Sequence, residues 1–110
     1  MAFTELGFEL ALDQLTDATN GINKVLIWSG LGTSPAPQDI TFDAAVGTET
    51  YGTVNMTSTD LVFNIGAGLT VTRVELYHGT DAIATYTFPT PYSFTNAGTF
   101  TLTDLQIRLE

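Results

Sequence analysis

The chain contains no cysteine, a single histidine, His78, and only three basic side chains, Lys24, Arg73 and Arg108. Without cysteine there is no disulfide, thiolate nucleophile or cysteine-bound metal, so packing alone must hold the fold in any redox compartment. Zinc would need further ligands beside His78, and no His/Cys spacing supplies them. Three scattered cations cannot neutralise a run of phosphates, which argues against nucleic acid or an anionic membrane as partner. The longest aliphatic–aromatic run, Val25-Leu26-Ile27-Trp28, is far short of the roughly 20 residues of a membrane helix. The opening Met1-Ala2-Phe3-Thr4-Glu5 lacks the basic segment of a signal peptide, so the expected product is made in the cytoplasm with no secretion address. There is no nucleophile-elbow Gly-x-Ser-x-Gly, no Gly-rich loop ending in Lys-Ser/Thr and no EF-hand pattern. The expectation is a protein without enzymatic activity, cofactor or metal.

What is present is acid, threonine and β-pattern. Twelve carboxylates give a net charge of −9, yet charged residues of both signs make up only 14% of the 110 residues, against a usual share of about 25%. Thr, Gly, Asn and Ser fill the gap, which suits strands and turns. The hydrophobic fraction of 44% suits one globular domain covering residues 1–110. One helix is expected over residues 4–18, capped by Thr4, with Leu6, Phe8, Leu10, Ala11, Leu12 and Leu15 supplying apolar faces. Glu5, Glu9, Asp13 and Asp17 recur every four residues and share one side of it.

From residue 24 onward the period is two. Strands are expected at residues 24–29, 40–42, 53–57, 61–65, 70–78, 82–88 and 92–94, and a last one at 99–109. Residues 30–39 and 44–52 read as loops, and Pro89 and Pro91 as a break or an edge crossing. Phe100 and Leu102 have one parity, while Leu105, Ile107 and Leu109 have the other. One flat strand cannot bury both sets, so a bulge or a change of sheet is expected near Thr103-Asp104. The fold class is mainly β: an antiparallel β-sandwich, jelly-roll or immunoglobulin-like, over residues 24–110, preceded by the N-terminal α-helix.

Three ordered segments carry a family resemblance. They are Met1-Ala2-Phe3-Thr4 with Gly7 and Ala11-Leu12-Asp13, the stretch from Val62-Phe63 through Ala67-Gly68 and Thr70-Val71-Thr72 to Leu76-Tyr77, and Phe94 with Ala97-Gly98-Thr99-Phe100-Thr101. Together they resemble short proteins of tailed bacteriophages usually labelled phage tail fibre protein. Gly66 stands where those proteins often have Pro, and Tyr77 where they often have Trp. The resemblance implies a structural virion protein that assembles with other virion proteins, on the tail or as a decoration (cement) protein on the major capsid protein. It also implies a homo-oligomer, with a trimer favoured because fibres and capsid threefold sites demand one.

Two places are candidate sites. The acidic ladder Glu5, Glu9, Asp13 and Asp17 reads either as a solvated face or as a docking face for a basic neighbour. Tyr51, among polar loop residues, is the exposed aromatic that a host glycan would stack on if the domain were a glycan-binding module, whereas Trp28 reads as core. Carboxylates at Asp39, Asp43, Glu49 and Asp60 fall in loops or turns, where solvated acids are routine.

Overall fold

The computed structural model describes residues 3–29 and 36–110; the first part of the loop read at 30–39 lies outside the described residues. Thr4 has an extended backbone and its hydroxyl accepts the Gly7 N–H at 3.1 Å, opening helix α1 (Glu5–Leu15). The helix ends at Leu15 and not at residue 18. The Thr16 backbone N–H and hydroxyl both donate to the Leu12 carbonyl, at 3.0 and 2.8 Å, closing the final turn. Phe8 and Leu12 are buried, each contributing about 1.5–3 kcal/mol by leaving water. Leu6 and Leu10 are each 63% exposed. Helix geometry explains the split: a spacing of two residues turns a side chain by about 200°, so the two pairs lie on opposite faces.

Among the described residues, nine strands follow: β1 (Lys24–Trp28), β2 (Gln38–Asp39), β3 (Val46–Gly47), β4 (Gly52–Asn55), β5 (Leu61–Ile65), β6 (Leu69–His78), β7 (Asp81–Phe94), β8 (Gly98–Leu102) and β9 (Gln106–Leu109). One layer is a sheet in the order β2-β1-β6-β7, and the other holds β3-β4-β9 and β5-β8. Every pairing is antiparallel. Val25, Ile27, Val71, Val74 and Leu76 from the first layer meet Phe63, Ile65 and Leu102 from the second in one core with Ile22, Ile40 and Met56. The fold is a mainly β, antiparallel β-sandwich preceded by one helix.

The second layer is in effect one bent ribbon. β4 pairs with β9 and β5 with β8 in the same sense along the chain, and the Met56 N–H donates to the Leu105 carbonyl at the bend, at 2.8 Å. The expected last strand is therefore two strands in different pairings, and the parity conflict is resolved by a switch between Leu102 and Gln106. Asp104 takes φ 55° there, in the left-handed region that Asp tolerates better than most residues.

Three local expectations change. The short strand expected at 40–42 lies at Gln38–Asp39, and Phe42 makes only an isolated bridge to Met56. The loop expected at 44–52 contains β3. Pro89 and Pro91 do not break β7, which runs past them as an edge strand. Val71 pairs with Tyr92 and Arg73 with Thr87, so residues 88–91 bow out of the ladder opposite Thr72. Prolines fit there because those positions owe no N–H to β6.

Candidate functional site

Helix α1 sits on β3 and β4 because two glycines let it approach. A Cβ on Gly52 would stand 2.6 Å from Phe8 Cβ, and one on Gly47 would stand 2.3 Å from the Glu5 carbonyl oxygen. Two rungs of the acidic ladder are engaged at this seam. Glu9 accepts the Gly47 N–H at 3.1 Å, and Asp13 accepts the Ala45 N–H at 2.8 Å. Asp17 turns back to accept the Asn20 N–H at 2.8 Å. Glu5, in the first turn, is exposed. Of the four carboxylates expected on one docking face, Glu9, Asp13 and Asp17 thus have partners within the chain.

The outer face of α1 instead carries the exposed Leu6–Leu10 pair, with Phe3 and Val46 also exposed. Phe3, Leu6, Glu5, Glu9 and Glu49 line a shallow depression there. This is an apolar stripe with an acidic border.

A second apolar surface lies along β7 and β8. Tyr86 and Tyr92 are 55% and 51% exposed. Phe88 meets Tyr86 and Tyr92 edge to face at 5.6 and 5.2 Å between ring centroids, and Tyr92 meets Phe100 at 5.4 Å. Beside this aromatic ridge runs an open groove of about 550 Å³, with Leu76, Ala84, Phe88, Leu105 and Ile107 in its walls. This surface is not among the candidate sites expected from the sequence. Its signal is present nonetheless: between Asp81 and Asp104 no residue carries a charge.

Tyr51 is half-buried and the Arg108 guanidinium lies 3.9 Å from its ring centroid, covering one face that a sugar would need. Trp28 is half-buried rather than enclosed, and Arg73 covers it at 4.1 Å. Lys24 pairs with Asp39, so all three basic residues have partners within the chain. His78 is structural in its contacts: Nδ1–H donates to the Gly21 carbonyl at 2.7 Å, which ties the segment after α1 to the β6–β7 hairpin. Desolvation raises the Tyr77 hydroxyl above the ordinary tyrosine range; the neighbouring Glu75 charge and a 3.4 Å hydrogen bond to it add to this, and Arg73 opposes it. Among the described residues, no group of three or more His, Asp or Glu side chains is placed to hold a metal ion, and no helix is long and apolar enough to cross a membrane.

No family model, curated protein or solved structure matches this chain.

Proposed function

We propose that this protein is a non-enzymatic structural component of a tailed-phage particle, working through protein–protein contacts as a tail-associated subunit. The observation that carries this reading is the outer face of α1. An exposed Leu6–Leu10 stripe bordered by Glu5, Glu9 and Glu49 suits a partner segment that is apolar with flanking Lys or Arg. Isolated surface leucines are ordinary, but an aligned pair with Phe3 lining the same depression as Leu6 makes a patch. The resemblance of the three ordered segments to phage tail fibre proteins supplies the kind of partner, another virion protein. Decoration of the capsid exterior is the alternative within the same class.

The test is to purify particles from cells carrying this gene, detect the chain by mass spectrometry and place it by cryo-electron microscopy. The expected result is a fixed copy number at symmetric tail positions, reduced by Leu10→Lys. Density spread over the capsid lattice would select the decoration alternative. Absence from purified particles would overturn the proposal.

A further inference from the structure

We infer that the side wall formed by β7 and β8, with the groove beside it, is a self-association surface, occupied by the same wall of a second copy. The inference goes beyond the α1 reading and does not depend on it. Two copies at −9 each repel one another over most of their surfaces. The stretch from Ala82 to Thr103 contains no Asp, Glu, Lys, Arg or His, and the groove beside it is lined by one carboxylate, Asp104, and one guanidinium, Arg108, so the wall sets no net charge against its own copy. A basic partner would be drawn elsewhere, toward the acidic faces.

Shape supports the same occupant. A twofold contact brings one patch against itself, so the patch must be self-complementary. Here an aromatic ridge, Tyr92 with Phe88 and Phe100, runs next to a groove with Leu76, Ala84, Leu105 and Ile107 in its walls and Asp104 and Arg108 also lining it. Turned about a twofold axis, the ridge of each copy fills the groove of the other.

Extension of the sheet from edge to edge is disfavoured by the same strand. β7 shifts register between Leu76 and Tyr77 of its partner, leaving Ile83 as an extra residue, and it carries Pro89 and Pro91 beyond. Bulges and prolines on an edge block further strands. Contact is therefore through packed side chains and stops at two copies.

Sedimentation equilibrium of the whole protein tests this. The expected result is twice the 11.8 kDa chain mass. Dimerisation should tighten when salt shortens the screening length from about 10 Å to about 3 Å, because salt weakens the repulsion between the acidic chains. Tyr92→Lys should weaken dimerisation at least about tenfold, as expected for an aromatic anchor. Thr90→Glu, an exposed site with no packing to lose, should do the same and guards against a folding defect in the first variant. Leu10→Lys should leave it unchanged, which separates this contact from the α1 docking role. A monomer at every concentration up to about 1 mM, a threefold mass, or a dimer indifferent to both wall variants would overturn the inference. So would a wild-type monomer whose wall binds neutral glycans or lipid vesicles instead.

Discussion

The Asp13 carboxylate accepts the backbone N–H of Ala45 at 2.8 Å, joining α1 to the segment entering β3 across 32 residues of chain. With the Glu9–Gly47 bond one helical turn away, it turns a like-charged ladder into a clamp. Carboxylates four apart on an isolated helix repel by about 0.2–0.5 kcal/mol per pair. A backbone N–H bonded to a carboxylate contributes about 1.5–3 kcal/mol, so the clamp outweighs the repulsion.

Removing that acceptor therefore destabilises the fold. Asp13→Ala loses about 1.5 kcal/mol of bonding and regains about 0.5 kcal/mol of helix propensity, for a net loss near 1 kcal/mol. Asp13→Asn keeps an oxygen acceptor and should stay within about 0.5 kcal/mol of the native protein. Urea unfolding midpoints measure both, and equal midpoints for the two variants would show that the bond contributes nothing.

The seating of α1 sets a second expectation. Gly52→Ala places a methyl group 2.6 Å from Phe8 Cβ and 3.0 Å from Leu12 Cδ1, so the helix must lift. The cost should be about 1–3 kcal/mol, as for other overpacked sites. At Gly66 the nearest atom is the Leu69 side chain at 3.4 Å, and Gly66→Ala should change thermal stability little. Similar losses at the two glycines would argue against this packing.

Asp104 holds the left-handed corner between β8 and β9. Asp104→Gly should be tolerated, while Asp104→Val should cost about 1–2 kcal/mol, because a branched side chain fits that backbone poorly. Thermal melts of the two variants should separate clearly; coincident melts would place the strain elsewhere.

Tyr77 predicts an alkaline limit. Its hydroxyl holds its proton more tightly in the folded chain than in the unfolded one, through desolvation first and then the Glu75 charge. Its stabilising contribution is therefore complete below the unfolded tyrosine value of about 10 and is lost as pH rises through the higher folded value. Phenolate absorbance should show an ionisation above the ordinary tyrosine value of about 10 that is absent in Tyr77→Phe, and that variant should also flatten the alkaline fall in stability.

Much of the fold was legible where side chains alone carry the pattern. The parity change from Phe100 and Leu102 to Leu105, Ile107 and Leu109 marked the point where the chain moves from β8 to β9. The cap at Thr4 marked the start of α1. The register shift between Val71 and Arg73 was not legible, because it is set by the bow in β7, a partner outside the local sequence. Nor were the partners of Glu9 and Asp13, since a backbone N–H has no residue identity to read. The aromatic ridge has no local signature because Tyr86, Phe88, Tyr92 and Phe100 are spread over two strands that only the tertiary fold brings together.

The bent ribbon also bears on kinetics. β9 closes on β4 with Leu109 opposite Gly52, so a long loop must be ordered before that pairing rewards it, and folding should fall in the millisecond-to-second range of non-local β topologies. Throughout that interval β4 has an open edge and the uncharged segment around β7 is in solvent. Pro89 and Pro91 then serve the unfinished chain as well as the finished one, by denying a template to neighbours during the wait.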